Sequence, residues 1–320
     1  REWSPGLRCD YAAYLARGGL DTYVYCPKGD PCLRREWSRD WEEGKRVQML
    51  ELAAACAREQ VRFGVGLSPF ELYLNYGERQ RQELRRKIEH LAELQAPLLA
   101  VLFDDMPGDV ENLARRQVQI VEDICSWSPA TRVLVCPTYY SVDPVLERYF
   151  GAMPTGYWEE LGRLLPPGVD VFWTGNEVCS PAIRLSDLER ITATLGRPVV
   201  LWDNYPVNDG AARSRYLYTE PLAGREAGLE ACINGHLCNP MNQGLLSLPA
   251  LAGLSALYGR GGYDATDLGA ILGEQCLAAL REDGPLFQHQ GLDGLGEERC
   301  AQLAQRYQSI AGPAAEEVAA

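Results

Sequence analysis

Short runs of apolar, β-branched and aromatic residues punctuate the first three-quarters of the chain. Each ends in a polar, Gly or Pro residue, and most are followed by a segment of helical period. Seven runs read as strands: Thr22–Pro27, Val61–Leu67, Leu98–Phe103, Val133–Pro137, Val169–Trp173, Val199–Trp202 and Leu229–Leu237. They recur about every 30–40 residues, the spacing of strand–helix units in a parallel sheet. Between them, Glu42–Gln60 aligns Val47, Leu50, Ala54 and Ala57 on one helical face. Arg79–Gln95 aligns Leu84, Ile88, Leu91 and Leu94, and Asn112–Ile124 aligns Leu113, Val118 and Val121. Ser186-Asp187-Leu188-Glu189 reads as a capping box opening a helix before Arg197-Pro198.

Polar residues gather where the strand-like runs stop: Lys28, Ser68, Asp104-Asp105, Thr138-Tyr139-Tyr140, Thr174-Gly175-Asn176, Asp203-Asn204 and Asn239. In a (β/α)8 barrel of the TIM type these ends form one rim, where the βα-loops build the active site. A doubly wound sheet is the alternative fold, but its glycine-rich phosphate turn has only Gly64-Val65-Gly66 to represent it. A closed barrel of this type has eight strands. The opening Trp3-Ser4-Pro5 reads as a helix N-cap with proline at the first helical position, so the first strand is expected to be missing from this sequence.

Beyond Tyr258 the pattern changes. Asp264–Arg281 is amphipathic through Leu268, Ile271, Leu272, Cys276 and Leu280, and Glu297–Ile310 is a second helix. Gly291–Gly296 reads as a glycine-rich connector and Pro313–Ala320 as a frayed tail. The expected organisation is a barrel over residues 1–258 and a helical appendage over 259–320, which offers a homodimer contact.

The formal charge is −13. No basic stripe interrupts it, which argues against a nucleic-acid partner. Arg79, Arg81, Arg85, Arg86 and Lys87 are interleaved with Glu78, Glu83 and Glu89, as on a solvated helix face. No apolar run approaches the roughly 18 residues of a membrane span. The 11 cysteines are odd in number and lack any CxxC. Cys26, Cys56, Cys136, Cys232 and Cys276 read as small buried hydrophobes in a reducing, cytoplasmic setting. The three histidines are far apart, and His236-Leu237-Cys238 alone is too few ligands for zinc. No metal or cofactor is expected.

Asp104-Asp105 ends the apolar run Leu98–Phe103. Ionised groups at the mouth of a buried strand are costly unless paired. Neighbouring strand residues point to opposite sides, so the two can serve different parts of one ligand. Close like charges also separate their pKa values, leaving one acid and one carboxylate. The alternative is a loop-start pair capping the next helix. Trp202-Asp203-Asn204-Tyr205-Pro206-Val207-Asn208-Asp209 sets aromatic faces beside hydrogen-bonding groups, as a sugar requires, though turn chemistry explains it equally well. Lys28, Tyr140, Trp173 and Asn239 are individually weak and gain weight from sharing the expected rim.

These segments together resemble glycoside hydrolase family 84, the O-GlcNAcase family. The matching stretches are Tyr23-Val-Tyr-Cys-Pro-Lys28-Gly-Asp30, Leu102-Phe-Asp104-Asp105, Cys136-Pro-Thr138-Tyr-Tyr140, Trp173-Thr-Gly175, Trp202-Asp-Asn204-Tyr-Pro-Val-Asn-Asp209 and Asn239-Pro-Met-Asn242, in family order. The chain departs from the family at Cys26, Gly29 and Asn176, and it lacks the family's glycine- and aromatic-rich opening strand. The resemblance implies a retaining, substrate-assisted β-N-acetylglucosaminidase working through an oxazoline intermediate. By that carry-over Asp104 polarises the acetamido N–H and Asp105 is the general acid and base. Lys28, Asp209 and Asn239 meet sugar hydroxyls, while Tyr140, Trp202 and Asn204 enclose the N-acetyl group. The implied partner is a β-N-acetylglucosaminyl substrate, with an O-GlcNAc-modified protein among the candidates. Two other functions remain open: a barrel that binds N-acetylglucosamine without turnover, and a metal-dependent hydrolase using the two aspartates.

Overall fold

A computed structural model describes residues 3–261 and 263–320. Among these residues seven strands form one sheet in sequence order: β1 (Thr22–Tyr25), β2 (Arg62–Leu67), β3 (Leu98–Leu102), β4 (Arg132–Cys136), β5 (Val169–Trp173), β6 (Val199–Asp203) and β7 (Ile233–Cys238). Every neighbouring pair is parallel. The seven expected strands are all present, and the doubly wound alternative fails because the strand order never reverses. The seventh is shorter than expected, since Leu229–Ala231 turns as a 3-10 helix before it.

Helices α1 (Pro5–Arg17), α2 (Glu43–Arg58), α3 (Glu78–Ala92), α4 (Leu113–Trp127), α5 (Val145–Phe150), α6 (Tyr157–Leu164), α7 (Leu185–Leu195), α8 (Gly210–Arg213) and α9 (Leu248–Leu257) intervene. Side-by-side packing of α3 on α4, α4 on α6 and α6 on α7 wraps the outside of the sheet. Parallel strands covered on both faces must be apolar throughout. Accordingly all of β3 is buried, and β2 and β4 are buried apart from their first residues.

The edge strands differ. Most of β1 is only half-buried and β7 is half-buried or exposed. Between them lies a cleft of about 430 Å³, floored by Leu98, Ala100, Leu134, Phe172 and Val200. Ser4 caps α1 as expected, its Oγ accepting from the Leu7 amide at 3.1 Å. Trp3, just before this helix, donates through Nε1 to the Met241 carbonyl (3.1 Å), and Tyr11 within it donates its hydroxyl to the Gly244 carbonyl.

Some local expectations are corrected. α2 buries Met49, Leu52, Ala55 and Cys56, leaving Val47 40% exposed with Ala54 and Ala57 outward. Its apolar residues are spread around the helix, so packing on α1 and β2 chose the face. In α3 the four expected leucine and isoleucine positions lie buried, although Leu94 lies just beyond the helix end. Lys87 does not belong to the solvated face. It is fully buried, with Nζ donating to the Arg39 carbonyl at 2.6 Å and lying 5.3 Å from the Trp41 ring centroid. α7 starts at Leu185, one residue before the expected cap. Asp187, not Glu189, supplies the reciprocal carboxylate, accepting the Arg184 amide at 3.0 Å.

The C-terminal segment forms α10 (Ala265–Leu272), α11 (Glu274–His289), α12 (Gly291–Gln308) and α13 (Pro313–Ala319). Gly273, with φ of 86°, divides the first expected helix. The expected connector at Gly291–Gly296 lies within α12, which kinks at Gly296. The expected frayed tail is helical. Ala314 and Ala315 are fully buried, and Glu317 accepts the Leu246 amide at 3.1 Å. Small side chains let this helix approach closely, a tertiary effect that its composition does not announce.

Candidate active site

Buried β3 delivers Phe103, Asp104 and Asp105 to the C-terminal rim. The Phe103 amide continues the ladder to the Cys136 carbonyl (2.9 Å), and its own carbonyl accepts from Thr138 Oγ1 (2.9 Å). Gln117 donates to the same Thr138 oxygen at 2.9 Å. This buried network fixes the strand end from which the two aspartates project. Asp104 is 6% exposed, and its Oδ1 is buried with no hydrogen-bond partner among the described residues. Its Oδ2 lies 3.2 Å from Lys28 Nζ. Asp105 is half-buried and occupies the left-handed region, with φ of 55°. That conformation costs a non-glycine residue about 1–3 kcal/mol and persists only where surroundings impose it.

Lys28 bridges both carboxylates and donates to Asp105 Oδ2. Tyr140 donates its hydroxyl to Asp105 Oδ1 at 3.2 Å. Burial works to lower the Lys28 pKa, but the two carboxylates outweigh it and hold the ammonium above its ordinary value. Burial, reinforced by Asp105 and Asp104, pushes the Tyr140 phenol well up, so it remains a donor. Asp30 sets the turn that carries Lys28. It is 4% exposed and accepts from the Tyr25 hydroxyl (3.0 Å), the Cys32 amide (3.1 Å) and Trp41 Nε1 (3.0 Å).

The opposite wall comes from the ends of β6 and β7. Trp202 packs edge-on against Phe172, with ring centroids 5.0 Å apart. Asn204 Nδ2 donates to the Val178 carbonyl (2.7 Å), and its Oδ1 accepts from Asn239 Nδ2 (3.1 Å). The neighbouring Asn208 is a structural clamp: its side chain contacts the Tyr216 carbonyl, Gln243 and the Asn242 amide. Asp209, one residue on, faces the cleft.

Asp203, also on this wall and expected only as a strand-end polar residue of the rim, has a structural role. Arg225 grips it through two nitrogens, and His236 Nε2 lies 3.0 Å from Oδ2 while Tyr258 lies 2.7 Å from Nδ1. Burial would raise its pKa, but hydrogen bonds from His236 and Arg225 hold the carboxyl below its ordinary value. His236 thus has both ring nitrogens engaged. Among the described residues no group of three or more His, Cys, Asp or Glu converges as a metal-ligand set. All eleven cysteines are free; Cys56, Cys136 and Cys276 are buried as expected, whereas Cys26 and Cys232 are only half-buried.

One cleft of about 410 Å³ is lined by Lys28, Asp104, Trp202, Asp209 and Asn239. Asp105 and Tyr140 join it through Lys28, and Asn204 joins it through Asn239. The structure therefore brings all eight singled-out residues to one place. Arg34 and Ser68 line the same cleft. Ser68 was visible only as a strand-end polar residue, and Arg34 carried no signal of its own.

A parallel α/β sheet with paired carboxylates, an ammonium, an amide pair and an indole on its C-terminal rim has the chemistry of a site for a polar ring ligand. The chain belongs to the beta-N-acetylglucosaminidase family, whose model matches residues 1–267. It is 28% identical over 250 residues to protein O-GlcNAcase of Rattus norvegicus, and equally to that of Mus musculus. Each match covers 75% of this chain and 27% of the relative, so the chain spans about a quarter of those proteins. Among solved structures, a mutant O-GlcNAc hydrolase from Thermobaculum terrenum is similar, with a TM-score of 0.80 and 26% identity over 99% of this chain and 77% of that one. The family resemblance read from the motifs is thereby borne out. Among the described residues, no helix is long and apolar enough to cross a membrane.

Proposed function

We propose that this chain is a retaining β-N-acetylglucosaminidase acting on terminal β-linked N-acetylglucosamine, O-GlcNAc-modified protein included, by substrate-assisted catalysis. The observation that carries the reading is Asp104 Oδ1, a buried carboxylate oxygen with no donor among the described residues, beside a sugar-sized cleft. An acceptor of that kind is costly when empty and favourable once an N–H reaches it. The acetamido N–H of the substrate is such a donor.

In the forward step the acetamido oxygen attacks the anomeric carbon while Asp105 passes its proton to the departing glycosidic oxygen. The ring formed is an oxazolinium, whose N–H Asp104 holds and whose proton it takes to leave the oxazoline. Water then attacks the anomeric carbon, Asp105 takes its proton, and Asp104 returns a proton to the nitrogen so that the acetamide is restored. Lys28, Asp209 and Asn239 hold sugar hydroxyls; Tyr140, Trp202 and Asn204 confine the N-acetyl group in its bent, reactive form. Lys28 pairs with Asp105. A hydroxyl that recruits Lys28 releases Asp105 to carry the proton.

The finer fold reading is an eight-stranded barrel. An eighth parallel strand, from polypeptide outside these residues, would seat in the cleft between β1 and β7, where both strand edges are left half-covered. A longer chain that closes it should show slower amide exchange at β1 and β7; unchanged exchange there would count against the barrel. The free cysteines accord with a reducing, cytoplasmic setting.

The catalytic reading is tested with an aryl β-N-acetylglucosaminide and with an O-GlcNAc-bearing peptide. Asp105→Asn should lower turnover by about 10²–10⁴-fold, with azide restoring activity on an activated substrate. Asp104→Asn should lose acetamide-dependent turnover with little azide rescue. Unimpaired turnover in both variants would end the assignment.

A further inference from the structure

Asp105 is held at two points, and only one of them is its carboxyl. Lys28 and Tyr140 contact the carboxylate. The backbone is held separately: the Asp105 carbonyl accepts from Arg34 Nη2 at 3.4 Å. This is the residue whose φ of 55° lies in the left-handed region.

Arg34 is itself braced on several sides. Its Nη1 donates to Ser68 Oγ at 2.8 Å, and its guanidinium lies 5.3 Å from the centroid of the Phe70 ring. The Ser68 amide donates to the Leu33 carbonyl at 2.7 Å, tying the turn that bears Arg34 to the end of β2. Asp30 caps that turn through the Cys32 amide at 3.1 Å. The guanidinium thus connects a rigid strand end to the backbone of Asp105.

We propose that Arg34 is a positioning residue for Asp105, holding its left-handed backbone so that the carboxyl stays aimed at the leaving oxygen. The inference rests on the reading of Asp105 as general acid. Under that reading Lys28 and Tyr140 turn to the substrate during the cycle. Their hold on the carboxyl then weakens when aim matters most. The contact from Arg34 to the main chain involves none of the groups that this reading assigns to the substrate. Without it, residue 105 can relax to an ordinary backbone conformation and carry its carboxyl off line.

The test compares two leaving groups in the full chain. A dinitrophenyl glycoside needs little protonation, whereas a methoxyphenyl glycoside needs much. In Arg34→Met, kcat on the methoxyphenyl substrate should fall by about 100-fold, and on the dinitrophenyl substrate by less than about 3-fold. Affinity for an oxazoline-mimicking thiazoline should hold. Arg34→Lys, which can reach one partner but not both, should show the same bias in smaller measure. It replaces Arg34→Met if that variant does not fold. Equal losses on both substrates, a change in KM alone, or no change would each overturn the proposal.

Asp105→Asn is measured alongside. If it shows no leaving-group bias, the reading of the acid has failed. If it shows the bias and the Arg34 variants do not, the positioning role alone has failed.

Discussion

Two aspartates stand at the C-terminal ends of strands in this sheet, each almost fully buried, and they are treated in opposite ways. Asp203, at the end of β6, is gripped by Arg225 and faced by His236, which Tyr258 orients in turn. Asp104, just past β3, has Lys28 near one oxygen and, among the described residues, no donor on the other. A buried carboxylate with its acceptors filled stabilises the fold that surrounds it. One left with an open acceptor weakens the fold and waits for a donor. Position on the rim does not distinguish structure from chemistry; satisfaction of the acceptors does.

Asp203→Asn should break the first region. It leaves Arg225 buried against a neutral amide, and loss of one partner of a buried pair costs about 3–5 kcal/mol. Denaturant unfolding reads this directly, and a cost below about 1 kcal/mol would remove the contrast. Asp104→Asn should do the reverse. Stability should be retained or raised, while turnover drops by about 10²–10³-fold, the effect of removing one preorganised polar partner.

Acid sharpens the same contrast. The Asp203 carboxyl is held below its ordinary value in the fold, so its contribution is full above the unfolded value near 3.8 and is lost as pH falls through the lower folded value. The stability gap between wild type and Asp203→Asn should stay level from neutral pH to about 5 and narrow below about 4. A gap that narrows toward alkaline pH instead would contradict the assignment.

Smaller effects lie away from the rim. Glu317→Ala, which removes the acceptor for the Leu246 amide, should cost about 1.5–3 kcal/mol and loosen α13 first, as amide exchange would show. Arg85→Ala breaks an ion pair whose side chains are 62% and 59% exposed. It should change stability by no more than about 0.5 kcal/mol.

Much of this was legible from local pattern. Continuous apolar runs and their polar ends placed seven strands and a common rim, because a parallel strand covered on both faces is apolar along its length. The motif order from Lys28 to Asn242 led to the family. Local pattern misled where several solutions were equivalent. α2 carries apolar residues on more than one face, and only its neighbours chose Met49 over Val47. Lys87 has the composition of a surface residue, yet the Arg39 carbonyl and the Trp41 ring gave its ammonium a buried seat.

The order of strands and the residue types at their ends were thus determined by the sequence alone, because both depend on neighbours within a few positions. Which carboxylate is filled and which stays open was decided only in three dimensions. The Arg225 guanidinium is 22 residues from Asp203, and Arg34 is 71 from Asp105. Nothing local encodes such distances. Hydrogen bonds are made between groups that the folded chain brings within about 3 Å, and the fold alone sets which groups those are.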